Sequence, residues 1–364
     1  MPGSFLLKRR PISEWFLLGA FLPYLVICIY IYFTWVQPWI DGYISVRIGA
    51  DSDRYWDAAR VLHSYGISDL VSVGGNYFGP VTLVLLLKTG FAILCFNFLL
   101  FLLGLKIAFS IPGMRKAMFG LLLLLNIELL PAIATLNKEI FTLFAAILTA
   151  KYVLSPKKSF LLLVIALVVS FLARWEQAGI LVLYLLFSFC RPFRGHPRGT
   201  IAVVIAGLSV FYPLMFKLFG LNPDMFNYLL EGARTIIKLD AIQNHYGFPI
   251  VVGPKIFLLI AGKLASPEYY TRSGIAGAGF TDVQQTIFQP LGCLAMVIVT
   301  FLAFAKRRLG LGRPLGLLIW LTLIISAVAP FVQPRYAYPV YVLMSLELAR
   351  RDPAAAPEVA TELS

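Results

Sequence analysis

Long apolar runs recur along the whole chain, and short polar or basic segments separate them. Many of the runs approach about 20 residues, the length at which an apolar α-helix crosses a lipid bilayer. The first, residues 15–35, has a tryptophan at each end, Trp15 and Trp35, as is typical of side chains at a membrane interface. The pattern predicts an all-α polytopic membrane protein with about ten transmembrane helices.

The predicted spans follow one another with short connections. They are residues 15–35, 80–109, 117–134, 140–154, 159–173, 177–189, 200–219, 286–305 and 314–332, and a short final span that ends at residues 350–351. We expect a single transmembrane domain over residues 1–352 and a disordered cytoplasmic tail over 353–364.

Two outer segments interrupt the spans. The first outer loop covers about residues 36–79, where 55–62 predicts a short amphipathic helix, and a larger outer segment covers about 220–285. In the larger segment, residues 225–239 have amphipathic spacing. Residues 249–265 are apolar but contain Gly, Pro and Lys, which indicates a re-entrant or interfacial element, not a span.

Composition agrees with this class of protein. Hydrophobic residues make up 59% of the 364 positions, whereas soluble domains are nearer 45–50% apolar. All four cysteines lie inside apolar runs, which argues against a disulfide framework and a metal site. The net charge of +13 is spread over basic clusters between the runs, so it indicates membrane topology and not nucleic-acid binding.

The basic clusters also predict which side of the membrane each connection occupies. Lys8, Arg9 and Arg10 place the N-terminus in the cytoplasm. Counting crossings from there puts every later cluster inside as well, namely Arg115-Lys116, Lys157-Lys158, Arg191 to Arg198, Lys306 to Arg313 and Arg350-Arg351. We therefore expect an inner (plasma) membrane protein with both termini in the cytoplasm.

The same count puts four other charged groups on the outer side, each at the boundary of a span. They are Asp51-Ser52-Asp53, Lys138-Glu139, Arg174 with Glu176, and Arg335-Tyr336. Any one of these groups alone is more simply an interface charge, a local ion pair or part of a solvated loop. Their shared side instead favours one outward-facing polar cavity. Lys88 and Asn97, inside the second predicted span, are better explained as snorkelling or interhelical side chains.

These motifs resemble those of the GT-C superfamily of membrane glycosyltransferases, which includes protein O-mannosyltransferases and the aminoarabinose transferases of lipid A. The similar features are an acidic motif after the first span, Lys138-Glu139, Arg174-x-Glu176 and Arg335-Tyr336. The resemblance implies an inverting transferase whose donor is a sugar on a polyprenyl phosphate and whose catalytic acid lies in the first outer loop. The first outer loop is short here, which leaves recognition of the acceptor unexplained.

The residue types also fit this chemistry without the resemblance. Asp51 or Asp53 could remove the acceptor's proton, and two neighbouring carboxylates are expected to raise one another's pKa. Lys138, Arg174 and Arg335 could stabilise a leaving phosphate. Glu139 and Glu176 would orient these cations or bind sugar hydroxyls, and Tyr336 would complete the substrate-binding set.

The expected partners are a polyprenyl-phosphate-linked sugar, a lipid, glycan or protein acceptor, and membrane lipids, with no nucleic acid. No cofactor is needed. Asp51 and Asp53 could hold a divalent cation, but two carboxylates alone are a weak metal signal. Two other functions stay open: an O-antigen or exopolysaccharide polymerase that uses polyprenyl-diphosphate-linked glycans, and a non-enzymatic transporter of lipid-linked sugars.

Overall fold

The fold is known from a computed structural model that describes residues 14–42, 51–65, 78–193, 195–218, 234–265, 280–329 and 334–351. Apart from one isolated bridge between Met114 and Arg350, every regular element in these ranges is helical. The prediction of an all-α protein is therefore confirmed.

The helices are numbered here in chain order. They are α1 Glu14–Ile31, α2 Gln37–Ile40, α3 Ser52–Tyr65, α4 Phe78–Leu87, α5 Gly90–Phe109, α6 Lys116–Leu125, α7 Leu129–Ala134, α8 Glu139–Leu154, α9 Phe160–Ala173, α10 Trp175–Phe189, α11 Pro197–Leu218, α12 Arg234–Tyr246, α13 Phe248–Ala261, α14 Phe280–Val283, α15 Gln289–Ala305, α16 Pro314–Val328 and α17 Tyr338–Ala349. A π-helical turn, Tyr32–Val36, joins α1 to α2, a second, Gln284–Phe288, joins α14 to α15, and 3-10 turns cover Gly262–Leu264 and Pro334–Ala337.

Four segments within the described ranges are long and apolar enough to cross a membrane: Gly19–Ile40, Gly90–Phe109, Pro197–Leu214 and Gln284–Ala305. Other apolar helices are shorter. The 14 residues of α9 and the 15 of α10 give lengths of about 21–23 Å, less than the roughly 30 Å of a hydrocarbon core. The membrane class is thus supported, and the number of ten crossings stays a prediction.

The helix bundle has two ends. We call the end at which Asp51 lies the Asp51 end, and the opposite end, at which Arg350 lies, the basic end. Helix α17 is buried over its whole length and runs from the Arg335 turn at the Asp51 end to Arg350 at the basic end. At the basic end, the Arg115 guanidinium donates to the carbonyls of Leu348 and Ala349 at 2.7 and 3.1 Å. Several of the clusters predicted to lie inside therefore gather away from Asp51.

The prediction of one span over residues 80–109 is wrong, because the helix breaks at Lys88. Lys88 has φ 62°, and the Thr89 hydroxyl accepts a hydrogen bond from the Ala92 N–H as the N-cap of α5. Gly79, in α4, packs against Leu172 near the end of α9, and Gly90 packs against Tyr32. The start of α4 therefore packs on the end of α9 that leads to Arg174, and α5 begins as a separate helix beside Tyr32.

The predicted span over residues 117–134 is also interrupted, by Asn126 to Glu128 between α6 and α7. The Tyr24 hydroxyl donates to the carbonyls of Leu124 and Asn126 at 3.2 and 3.1 Å, and the Tyr341 hydroxyl donates to Leu122. These bonds supply partners for backbone carbonyls at the helix break, where the Asn126 carbonyl also accepts the Leu129 N–H at 3.1 Å.

The outer segments contain helices. Helix α3 covers the predicted 55–62, whereas α12 begins at Arg234 and only partly matches the predicted 225–239. Residues 225–233 and the tail 353–364 lie outside the described ranges. Helix α13 covers the apolar part of 249–265, and its central Lys255 donates to the Ala329 carbonyl at 3.2 Å, just beyond the end of α16.

Candidate functional site

Asp51 lies immediately before α3, and its backbone carbonyl accepts the first helical hydrogen bond, from Tyr55 N–H at 3.1 Å. The next residue fixes the position of this helix start. The Ser52 hydroxyl donates to the Leu136 carbonyl at 2.7 Å, and both Ser52 and Leu136 are buried. The acidic motif is thereby held against the loop between α7 and α8, which carries Lys138.

Two cations from distant parts of the chain meet the Asp51 carboxylate. Arg335 Nη1 donates to Asp51 Oδ2 at 2.5 Å, and Lys138 Nζ lies 3.8 Å from the same oxygen. Arg335 belongs to the 3-10 turn before α17, and Lys138 is the N-cap residue of α8. Because these turns end at the same level of the bundle as the start of α3, the three charges converge.

A second ion pair lies beside the first. Arg174 Nη2 is 3.4 Å from Glu139 Oε1, and the Arg174 guanidinium stacks over the Tyr336 ring at 4.5 Å from its centroid. Arg335 also lies near that ring, at 5.9 Å. Tyr336 therefore connects the Asp51–Arg335 pair to the Glu139–Arg174 pair through cation–π contacts.

The cluster is shielded from solvent. Lys138, Glu139 and Arg174 are each 6% exposed and Asp51 is 8% exposed, while the Arg335 side chain is 21% exposed. These five side chains carry three positive and two negative charges. An excess positive charge at a buried site is costly unless an anion or a hydrogen-bonding ligand compensates it.

Burial and neighbouring charges shift the pKa values of Asp51 and Lys138 in this cluster. Burial alone would raise the Asp51 pKa, but Arg335 and Lys138 together outweigh it and lower that pKa below 3.8. For Lys138, burial followed by repulsion from Arg174 and Arg335 lowers the pKa to about 8. The expectation that neighbouring carboxylates raise the Asp51 pKa is therefore wrong, because its nearest charged groups are cations.

Several buried polar atoms in this region lack hydrogen-bond partners. Glu139 Oε2, Arg174 Nε, Asn137 Oδ1, Glu176 Oε2 and Gln177 Nε2 form no hydrogen bond in the structure. Each such atom costs about 1–3 kcal/mol unless a ligand or solvent satisfies it. The cluster therefore offers both donors and acceptors to a bound molecule.

The predicted residues differ in how closely they join this cluster. Asp51, Lys138, Glu139, Arg174, Arg335 and Tyr336 are linked by ion pairs or cation–π contacts. Asp53 is half-buried and lies two residues beyond Asp51 on α3, and Glu176 is half-buried two residues beyond Arg174 on α10. Ion pairs thus join Asp51 to Lys138 and Arg335, and Glu139 to Arg174.

Ser52, Asn137 and Gln177 are polar residues of the site that sequence reasoning did not select. Asn137 and Ser52 each lie next to a selected charged residue in the sequence, so this neighbouring position could have identified them as site residues. The sequence predicts Gln177 only as the first residue of a span. Its position one turn after Arg174 places it at the same end of α10.

A small cavity of about 30 Å³ continues from the cluster between five helices. It is lined by Ala145, Ala146, Thr149, Ser170, Gln177, Ile180, Leu181, Leu318, Thr322, Pro339 and Leu343. Gln177 and Ser170 lie within one turn of Arg174, so the cavity borders the charged cluster. A volume of this size holds a few atoms or about two water molecules, not a sugar ring.

The residues do not fit a divalent metal site. Within the described ranges, no group of three or more His, Cys, Asp or Glu side chains is close enough to bind an ion. The Asp51 oxygen that would bind a cation faces Arg335 and Lys138 instead.

Comparisons of the chain with protein-family models, with characterised proteins and with solved structures find no match.

Proposed function

We propose that the protein is a membrane glycosyltransferase of the GT-C type. It transfers a sugar from a polyprenyl-phosphate-linked donor to an acceptor at the extracytoplasmic face. The supporting observation is the buried cluster of three cations and two carboxylates that includes Asp51, Lys138 and Arg335. Fixed positive charge that is shielded from water suits a reaction in which a phosphate leaves with increasing negative charge.

The sidedness and the span count are part of this proposal. Arg115, Arg313 and Arg350 lie near one another at the end of α17 that is remote from Arg335. If the positive-inside rule holds, that end faces the cytoplasm and the Asp51 end faces outward. With ten crossings, both termini are cytoplasmic, and the site meets lipid-linked donors on the side where nucleotide sugars are absent.

The paired state of Asp51 suggests how donor binding prepares the base. A donor phosphate that binds Arg335 and Lys138 competes with the Asp51 carboxylate for both cations. Once the phosphate compensates these charges, the Asp51 pKa returns towards its ordinary value, and the freed carboxylate becomes a stronger proton acceptor.

The transfer step is a nucleophilic displacement at the anomeric carbon of the sugar. Asp51 accepts the proton of the acceptor's hydroxyl or amine, and the acceptor atom forms a bond to the sugar carbon. The bond from that carbon to the phosphate oxygen breaks, and its electron pair stays with the polyprenyl phosphate. Arg335, Lys138 and Arg174 stabilise the added charge, and attack opposite the leaving group inverts the anomeric centre.

Reconstitution of the full chain tests the proposal. In liposomes with labelled polyprenyl-phosphate sugars, Asp51→Asn should lower transfer at least 100-fold, within the range for loss of a general base. The same variant should bind polyprenyl phosphate more tightly than wild type, because no carboxylate competes for Arg335. The matched control is Asp57→Asn, since the Asp57 side chain is 65% exposed and pairs locally with Arg60 on α3. Full transfer by both Asp51→Asn and Asp53→Asn would rule out the base.

The interruption between α6 and α7 favours a second candidate, transport of a lipid-linked sugar. Discontinuous helices often form substrate sites in transporters, and Asn126 to Glu128 interrupt a predicted span here. The same liposomes distinguish the two functions. Movement of the labelled lipid between leaflets without sugar transfer would support the transporter and contradict the transferase.

A further inference from the structure

A second buried ion pair lies outside the Asp51 cluster, between α12 and α13. Lys255 is 0% exposed, and its Nζ lies 3.4 Å from Asp240 Oδ1. The same ammonium donates to Gln243 Oε1 at 2.6 Å and to the Ala329 carbonyl at 3.2 Å. These three acceptors match the three N–H groups of a protonated lysine. The Lys255 charge is therefore used within the protein and not offered to a ligand.

This network attaches α12 and α13 to the end of α16. Gln243 Nε2 donates to the Val328 carbonyl at 3.1 Å. Val328 is the last residue of α16, and Ala329 is its C-cap. The last carbonyls of a helix have no partners inside the helix, and here two of them accept hydrogen bonds from side chains of α12 and α13.

Helix α13 also contacts the start of α17. Leu259 and Ile260 of α13 line the same small cavity as Tyr338, the first residue of α17. The helix packs in addition against the 3-10 turn before α17, which carries Arg335. In chain order, α16 precedes this turn and α17 follows it, so α13 touches the elements on both sides of Arg335.

A buried ion pair resists displacement more than it adds stability. Apolar residues of similar volume often stabilise a protein as well as a buried pair does, but separating the two charges leaves each uncompensated in apolar surroundings. The Lys255–Asp240 pair therefore opposes movement of α13 away from α12 and the end of α16. The turn that α13 packs against has four residues, and its Arg335 must reach Asp51 Oδ2 at 2.5 Å.

We infer that Lys255 is a positioning residue for Arg335. With Asp240 and Gln243 it fixes α13 to the end of α16, and α13 holds the turn from which the Arg335 guanidinium reaches Asp51. This inference rests on the proposed function, in which Arg335 binds a phosphate. It gives the outer helices α12 and α13 a role in the reaction although neither contributes a residue to the Asp51 cluster.

Phosphate binding to the full chain in lipid nanodiscs tests this role without a sugar. The probe is dibutyl phosphate, which carries one negative charge. Lys255→Met combined with Asp240→Asn, the pair variant, removes both charges at similar volume, so its unfolding temperature should stay close to that of the wild type. Its affinity for the probe should nevertheless fall at least ten-fold, as for loss of one charge-assisted hydrogen bond. The control is Lys238→Met, at an exposed position of α12, which should bind as the wild type does.

A double-mutant cycle separates positioning from a general loss of structure. In an Arg335→Gln background, the pair variant should change the affinity by less than about three-fold, because the guanidinium that it positions is absent. Gln243→Met removes both hydrogen bonds of Gln243 without changing the net charge, and it should weaken binding in the wild-type background alone. If the pair variant fails to fold, Gln243→Met decides the question by the same cycle.

Two results would overturn the inference. One is a folded pair variant that binds dibutyl phosphate and transfers the sugar as the wild type does. The other is an equal fold-loss of affinity in the wild-type and Arg335→Gln backgrounds. Weaker phosphate binding by the pair variant, together with no sugar transfer by the wild type, would instead contradict the proposed function and leave the positioning role in place.

Discussion

At the scale of single residues, the position of Asp51 depends on partners far away in the sequence. Its carboxylate binds Arg335, which is 284 positions later, and lies near Lys138. Asp51 thus forms ion pairs with both cations, and the local sequence of the acidic motif does not predict these partners.

The lowered Lys138 pKa of about 8 predicts a pH-dependent affinity for anions. Between pH 7 and pH 9 this lysine loses its proton, so binding of a dialkyl phosphate should weaken roughly ten-fold, as for loss of one charge-assisted hydrogen bond. The probe keeps its single charge over this range. The charged groups that face Lys138 are Asp51, Glu139, Arg174 and Arg335. Calorimetric titration at several pH values measures the effect.

Lys138→Arg is the matched variant for this prediction. Arginine stays protonated throughout the range, so its affinity for the dialkyl phosphate should be nearly independent of pH. A wild-type profile that is flat, or an equal decrease in Lys138→Arg, would show that Lys138 does not titrate at the site.

At the scale of elements, close packing joins the start of α4 to the end of α9, two residues before Arg174. Gly79 is the contact point, because a Cβ there would lie 2.3 Å from the Leu172 carbonyl oxygen. That oxygen belongs to the backbone two residues before Arg174, so it cannot rotate away as a side chain could. Only glycine permits this approach, and α4 is thereby held beside the turn that carries Arg174.

Gly79→Ala should therefore lower the free energy of unfolding by about 1–3 kcal/mol, the usual cost of overpacking. Denaturant unfolding in detergent measures the change. Gly207→Ala on α11 is the control, since a Cβ there meets nothing within 4 Å, and alanine stabilises helix interiors by up to about 1 kcal/mol. Equal stability of the two variants would contradict the packing argument.

At the scale of the whole molecule, charge separates along the bundle axis. The Arg313 guanidinium donates to the buried Glu347 at 3.0 Å at the basic end, while the Asp51 cluster lies at the beginning of the same central helix. This segregation agrees with the topology expected from the basic clusters, in which Arg313 and Arg350 are cytoplasmic. The described contacts fix which charges share an end of the bundle.

Cysteine labelling tests the orientation of the protein in the membrane. In a cysteine-free background, a membrane-impermeant maleimide added outside cells should label D57C and not G195C. Asp57 is a better position than Ser52, because Ser52 is 1% exposed and the Asp57 side chain is 65% exposed. Labelling of G195C from outside, with D57C protected, would reverse the assigned orientation.

The sequence by itself determined the helical class and the segregation of charges to the ends of apolar runs. Both follow from local rules, because an apolar run must satisfy its backbone internally and buried charge is costly. Local patterns failed where tertiary context ended a helix, as at Lys88 and between Asn126 and Glu128.

Only the tertiary structure decided which charges meet. The packing of the helices against one another brings Arg335 and Lys138 to Asp51 and brings Arg174 to Glu139. These pairs join turns far apart along the chain. A hydropathy pattern shows where a helix ends but not the direction in which its last side chains point. For that reason the candidate residues could be selected from the sequence, whereas their pairing and lowered pKa values could not.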